Sequence, residues 1–322
     1  QIIDLINFIR SICTDIGSSL VSGRTFLKKA GGAPANVTAC IAKLGKQAAF
    51  AGSVGNDAFG EYLENTLNVE GVDTTLVQRS DSHNTTMAFV SLTSDGERDF
   101  NFLRGADIDF VYGKSEKEYL ERANILHFGS ATGFMGGELE LSYLKMIIEA
   151  HEKGKFISFD PNYREALTGA DKEKFVAKVH KVLPLCHIIK VSQEELQLLT
   201  NTRNIHDGIN ALLGLGAERI IVTLGSRGAI FCTKMFQIEV AAPRIKSIDS
   251  TGAGDAFVGG MLYRLSDFDD PRDCLDNKDK VIDILTFAAT VGAKTCTKHG
   301  AIEALPTYQE VNELITTMKE RT

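Results

Sequence analysis

Five short apolar runs recur along this chain, "QAAFAGSV" (47–54), "NILHFGSA" (124–131), "FISFD" (156–160), "HIIKVS" (187–192) and "RIIVTLG" (219–225). Several do not alternate apolar with polar residues, and a strand that is apolar on both faces must be covered on both. The segments at 34–44, 57–69, 138–153, 173–183, 207–214, 255–265, 279–296 and 308–319 carry amphipathic helical spacing. Strands alternating with such helices predict an α/β fold, a central and mostly parallel sheet flanked by helices in the Rossmann-like manner. Ligands of such sheets gather at the carboxyl ends of the strands. The 322 residues suffice for one large domain or two small ones.

One segment breaks the pattern. "TTMAFVSLTSDGERDFNFLR" (85–104) has two β-rich arms around Asp95-Gly96, the dipeptide that a tight hairpin prefers. A further β-prone piece lies near 17–28. Both are expected to form a small sheet that acts as a lid, residues 14–29 and 85–104, over a core of 1–13, 30–84 and 105–322. The acidic stretch at 266–280 reads as a solvated loop. The chain opens on Gln1 and "IIDLI", which reads as the middle of a strand, so an upstream piece is expected.

A net charge of −7 speaks against nucleic acid or an anionic membrane as the main partner. No apolar stretch reaches transmembrane length and no signal-peptide pattern opens the chain. Cys13, Cys40, Cys186, Cys232, Cys274 and Cys296 are scattered, without C-x-x-C or metal-ligand spacing, which fits a reduced, cytoplasmic setting. No G-x-G-x-x-G directly follows a strand and no G-x-x-x-x-G-K-[ST] occurs, so the common dinucleotide and P-loop fingerprints are absent.

Four motifs carry chemistry. In "DSTGAGDAFVGG" (249–260), small residues bare the backbone just before an apolar helix. The free N–H groups of Gly252, Ala253, Gly254 and Asp255 at that helix start would favour an anion. Asp255 also suits the helix dipole as a plain first-turn acid, but it would then repel the anion that the bare backbone invites. A carboxylate beside a phosphate makes sense if it receives a proton during transfer. In "AGGAPANVTACIAKLG" (30–45), Gly31 and Gly32 permit close approach and Asn36 offers a donor and an acceptor, although a glycine turn with a polar cap would look the same. "FDPNYR" (159–164) crowds Asp160, Asn162 and Arg164 at a strand end, where an Asp-Pro turn with a surface arginine is the bland alternative. Glu195 in "KVSQEEL" (190–196) could hold a hydrated metal ion or simply start a helix. Thr223 and Gly225 of "VTLGSRGA" (222–229) could line phosphates or form a bare hairpin.

Together these segments resemble the ribokinase-like (PfkB) family of carbohydrate kinases, and within it fructokinases most. One signature runs Gly31-Gly32-x-Pro34-x-Asn36-x-Thr38 to Gly45 and Gly55, the other from Asp249 to Phe257, in the family's order, and the likeness extends from "IIDL" to "KHGAIEALP" (298–306). The resemblance implies a ribokinase-like fold with a β-sheet lid, a possible homodimer through that lid, and ATP, Mg2+ and K+ as cofactors. It implies transfer of the ATP γ-phosphate to a primary hydroxyl, fructose giving fructose 6-phosphate. The alternatives are 2-keto-3-deoxygluconate, another sugar or a nucleoside as acceptor, or a non-catalytic relative that binds a sugar or a partner. A ketoacid acceptor would need an added cation, from Arg98, Arg104 or Arg164.

Residue by residue, the resemblance makes Asp255 the base and the amides of Gly252, Ala253, Gly254 and Asp255 the anion hole. Arg164 stabilises phosphate charge or positions the substrate. Asp4, Gly31, Gly32, Asn36, Asn162, Arg98 and Phe100 fall at sugar-contacting or covering positions. Lys190, Ser192, Glu195, Thr223, Gly225 and Gly228 fall on the nucleotide and magnesium side, with Glu195 acting through water. Asp249, Thr251 and Gly300 match a monovalent-cation site. Many relatives carry asparagine where Ser192 stands.

Overall fold

The computed structural model describes residues 2–5, 8–13, 19–92, 98–165 and 171–320. Its strands are β1 Ile2–Leu5, β2 Phe8–Cys13, β3 Phe26–Gly31, β4 Ala48–Gly55, β5 Asp73–Ser80, β6 Met87–Leu92, β7 Arg98–Leu103, β8 Ile125–Gly129, β9 Phe156–Asp160, β10 Ile188–Ser192, β11 Ile220–Thr223, β12 Ala229–Cys232 and β13 Gln237–Val240. Nine of them form one sheet in the order β13-β12-β11-β10-β9-β8-β1-β4-β5, parallel from β11 through β5. The antiparallel edge is the β11–β12–β13 meander.

Helices α1 Ala33–Lys43, α2 Ala58–Val69, α3 Lys114–Arg122, α4 Gly137–Glu152, α5 Lys172–Val182, α6 Gln193–Thr200, α7 Ile205–Gly214, α8 Ala253–Leu265, α9 Pro271–Leu275, α10 Lys278–Thr295 and α11 Tyr308–Lys319 surround it. The apolar runs are continuous because the two-residue period of a strand feeds two cores. Leu126, Phe128, Ile157, Phe159, Ile189 and Val191 pack with α4–α7, whereas Ile125, Phe156 and Ile188 pack with α1, α8 and α10. Helix α8 sits unusually close to α1. A Cβ on Gly259 would meet the Cys40 Cβ at 2.6 Å, so only glycine allows that approach.

The small sheet has the order β3-β2-β6-β7. Strands β6 and β7 pair antiparallel as the hairpin reading requires, and Asp95-Gly96 lie outside the described residues. Two boundaries differ from the expectation. Phe8–Cys13, assigned above to the core piece 1–13, belongs to the small sheet, antiparallel to β3 and parallel to β6. Only Ile6 and Asn7 separate it from β1, with no Gly or Pro, so the sequence offers at most a weak break. The second lid piece lies at 26–31 rather than 17–28, and it delivers Gly31 and Gly32 directly from a strand end into α1.

Candidate active site

The start of α8 is assembled from two loops. Asp249 Oδ1 accepts the Thr251 N–H at 2.9 Å and its Oδ2 accepts the Gly300 N–H at 3.1 Å, which ties residues 249–251 to the loop after α10. Gly252, the residue before the helix, takes φ 75°, and no side chain caps the end. The first helical bond within α8 runs from the Ala256 N–H to the Gly252 carbonyl at 2.8 Å. The Ala253 N–H donates to the Ser250 carbonyl at 3.3 Å, whereas the Gly254 and Asp255 N–H groups have no backbone partner among the described residues, the arrangement that suits an anion.

Asp255 stands among those amides. Asn36, in the first turn of α1, donates from Nδ2 to Asp255 Oδ2 at 2.8 Å. The surrounding protein strips water from the carboxylate and raises its pKa from 3.8 to about 6, while the Asn36 bond and the Arg164 guanidinium act the other way. Asn36 is only 5% exposed, and its Oδ1 is buried with no hydrogen-bond partner among the described residues.

A buried charge cluster lies beside them at the ends of β9 and β10. Lys190 Nζ donates to Asp160 Oδ2 at 2.9 Å, and both side chains are buried. Burial opposes the Lys190 charge, but Asp160, Glu195 and Asp255 outweigh it and hold its pKa above the ordinary value. An ideal Cβ on Gly254 would come 3.5 Å from that ammonium, so Lys190 reaches the helix start itself. Glu195 caps its own helix with Ser192. Its Oε2 accepts the Ser192 N–H and its Oε1 the Tyr163 N–H, each at 2.8 Å. Burial, with Asp160 adding to it, raises the Glu195 pKa. Asn162 takes the left-handed conformation, φ 45°, and its N–H donates to Asp160 Oδ1 at 3.0 Å. After that turn the exposed Arg164 lines the cleft, its Nη1 donating to the Tyr163 carbonyl at 3.2 Å.

Two clefts meet at α8. One, of about 470 Å³, lies beneath the small sheet. It is lined by Gly31, Gly32 and Asn36, by Asn162, Arg164, Lys190, Ser192 and Glu195, and by Thr251, Gly252, Gly254, Asp255 and Gly300. The other, of about 610 Å³, is lined by Thr223, Gly225, Gly228, Ala253 and Gly254 and by an apolar wall that includes Pro243, Ile245, Phe257 and Ala289. Ser250 and Gly254 belong to both. The β11–β12 connection is a hairpin, and Gly228 in it has φ 109° with Val240 O 1.9 Å from an ideal Cβ. A larger hollow of about 1000 Å³ continues past Arg164, Ser192 and Glu195 toward α5 and α6.

Sequence expectation and geometry differ at a few positions. Asp249 lines neither cleft but stitches the loops beneath them. Arg104 donates from Nε to Asp107 at 3.0 Å and from Nη1 to the Met135 carbonyl at 3.0 Å, and it does not line the first cleft. Asp4 is in register with Phe50 of β4, and Arg98 and Phe100 with Leu92 and Val90 of β6; their side chains lie outside the description. Lys29, Val90, Ser250 and Ala301 line the first cleft without having been singled out. Lys29 had the signal of adjacency to a glycine motif and Ala301 that of adjacency to Gly300, and Ser250 lies within the second signature.

Among the described residues no group of three His, Cys, Asp or Glu side chains could hold a metal. Both Glu195 oxygens already accept backbone N–H bonds, which fits an ion held through water better than direct ligation. The cysteines Cys40, Cys186, Cys232, Cys274 and Cys296 are free, and no helix is long and apolar enough to cross a membrane among the described residues.

The junction sets a buried carboxylate of raised pKa beside the start of a helix, with one cleft on each side. The profile of the pfkB family carbohydrate kinases matches residues 2–308. Fructokinase-1 of Zea mays is 37% identical over 314 residues, 97% of this chain and 95% of that protein. A crystal structure of fructokinase with bound ATP from Xylella fastidiosa superposes with a TM-score of 0.89 at 33% identity, covering 99% of this chain and 98% of the other. A fructokinase from Vibrio cholerae O395, solved with fructose, ADP and calcium, gives 0.81 at 33% identity over 97% and 98% of the two chains.

Proposed function

This chain belongs to the pfkB family of carbohydrate kinases and has the ribokinase-like fold, and from that premise we propose that it is an ATP-dependent fructokinase, forming fructose 6-phosphate and ADP. The observation that carries the proposal is the junction at α8, where bare amides and Asp255 stand where a 470 Å³ cleft and a 610 Å³ cleft meet.

In this reading the sugar lies under the small sheet, against Gly31, Gly32, Asn36 and Asn162, with Asp4, Arg98 and Phe100 completing its surroundings. Asn36 Oδ1 accepts from a sugar hydroxyl. The nucleotide occupies the second cleft, its base on the apolar wall and its phosphates passing Thr223, Gly225 and Gly228. Asp255 takes the proton of the C6 hydroxyl as the O6–Pγ bond forms and the bond from Pγ to the bridging oxygen of ADP breaks. The transition state is loose, so a carboxylate with a pKa of about 6 is a sufficient base. The amides of Gly252, Ala253, Gly254 and Asp255, with Lys190 and Arg164, hold the charge on the transferring group.

Mg2+ would be held by the nucleotide phosphates and through water by Glu195 and Ser192, and it would supply charge neutralisation at the phosphates. K+ would sit by the loops that Asp249, Thr251 and Gly300 join. Exposed Phe26, Leu27 and Leu103 on the small sheet favour a homodimer through it, and the free cysteines favour a cytoplasmic setting.

The test is ADP release across fructose, ribose, 2-keto-3-deoxygluconate, adenosine and fructose phosphates, with the product position read by NMR. A dominant response to fructose with phosphate on C6 is expected. Another sugar dominating would replace the acceptor, and a blank panel would point to a non-catalytic binding relative.

A further inference from the structure

One wall of the sugar cleft carries an ion pair that the reaction itself does not use. Lys29, near the end of β3, lines the cleft, and its Nζ lies 2.9 Å from Glu303 Oε1. Glu303 belongs to the short turn Ile302–Ala304 that follows Gly300 and Ala301, both of which line the same cleft. The carboxylate folds back over that loop, since an ideal Cβ on Gly300 would stand 2.8 Å from Glu303 Oε2. Glu303 is therefore pinned at the rim, one oxygen on the lid cation and the other over Gly300.

The remaining cations that line the cleft, among the described residues, are Lys190 and Arg164. Lys190 is paired with buried Asp160. Arg164 stands across the cleft, where its charge acts on Asp255 and Glu195. Among the described residues, Lys29 is thus the cation that the lid wall offers to an acceptor beside Arg98 of the hairpin, and Glu303 has already neutralised it.

We propose that Glu303 is a specificity-determining residue, which by holding Lys29 makes the cleft select neutral sugars over sugar acids. A bound carboxylate would have to displace Glu303 from Lys29 or sit beside its negative charge, and either costs affinity that a neutral ketose keeps. The inference rests on the sugar-kinase reading above and goes on to name the excluded substrate class.

The test compares the Ki of 2-keto-3-deoxygluconate, as competitor of the preferred neutral sugar, with the KM of that sugar. In Glu303→Gln the acid should bind about 2–5-fold better relative to the neutral sugar, the worth of one exposed charge contact. The double variant Lys29→Met/Glu303→Gln should lose that gain. Lys29→Met alone, which leaves the Glu303 charge bare, should weaken the acid further relative to the neutral sugar. It decides the matter if Glu303→Gln does not fold. An unchanged ratio in Glu303→Gln, a gain that survives in the double variant, or an unchanged ratio in Lys29→Met where only that variant folds overturns the proposal. If the native chain phosphorylates a neutral sugar other than fructose, the acceptor assigned above falls, while these ratios, read against that sugar, still decide the role of Glu303.

Discussion

Asn36 Nδ2 lies 2.8 Å from Asp255 Oδ2, which joins the first turn of α1 to the first turn of α8 across 219 positions of sequence. Each element of that contact has a local cause. Pro34 starts α1, the small residues at 252–254 start α8, and Gly259 lets the two helices close up. The bond holds the carboxylate in the cleft and lowers a pKa that burial raises, so the value settles at about 6.

The first prediction is a pH profile. Asp255 must be ionised to accept a proton, so kcat/KM should rise with pH and level off above about 6. Asn36→Ala removes the lowering contribution, and the acid limb should move to higher pH. The same variant also removes the unpartnered Oδ1, so the sugar KM should rise by about 10–100-fold, the range for a hydrogen bond to a charged or buried partner. A limb that stays in place in Asn36→Ala would separate Asn36 from the titration of the base.

Asp255→Asn makes a second, two-sided prediction. Turnover should fall by about 10²–10⁴-fold with sugar binding retained, the usual loss for a general base. Stability should move oppositely. The native pKa of about 6 exceeds the unfolded value of 3.8, so this carboxyl favours the native state at low pH and loses that contribution as pH rises through 6. At neutral pH the native enzyme carries an ionised, largely dehydrated carboxylate that asparagine would spare it. The gain should be on the order of 1 kcal/mol, since part of the side chain meets the cleft and solvent screens it. Thermal melts should show the variant gaining on the native enzyme between pH near 4 and neutrality. Near-normal turnover would remove Asp255 from the chemistry.

How much of this was legible in the sequence depends on the range of the interaction. The strands β4, β8, β9, β10 and β11 were readable because burial on both faces leaves a continuous apolar run. The start of α8 was readable because small residues stand just before an apolar run, which core packing alone does not require. What joins distant positions was not readable. Nothing local to Lys29 or Glu303 says that 274 residues of chain bring them within 2.9 Å. The apolar wall of the second cleft is built from Pro243, Ile245 and Ala289, each ordinary in its own segment. Strand β2 was hidden because only Ile6 and Asn7, with no Gly or Pro, separate it from β1.

Lys190 and Asp160 form a buried pair that is more dangerous to break than to remove. Lys190→Met leaves Asp160 charged and unpaired, a loss of about 3–5 kcal/mol. The double variant Asp160→Asn/Lys190→Met should regain most of that stability, because neither charge remains in the interior. It should not regain activity, since the ammonium next to Gly254 is still missing. Urea unfolding and turnover measured on the same samples separate the two roles. Full activity in the double variant would confine Lys190 to structure.

Gly252 tests the cradle itself. Its φ of 75° is left-handed, and an added Cβ would stand 3.0 Å from the Ala301 Cβ. Gly252→Ala therefore meets two obstacles, a backbone cost of roughly 1–2 kcal/mol and a contact that only movement of the 300–301 loop can relieve. Because that loop is tied to Asp249 through Gly300, relief would shift the amides that face the transferring group. Turnover should drop by about 10–100-fold, as expected for misplacing preorganised donors, with a smaller change in the KM for sugar. Adding Ala301→Gly removes the 3.0 Å contact but leaves the residue-301 Cα at 3.3 Å and the backbone cost, so it should restore part of the turnover and little of the stability. If the second change restores nothing, the loss comes from the dihedral alone and the contact with Ala301 does not position the amides.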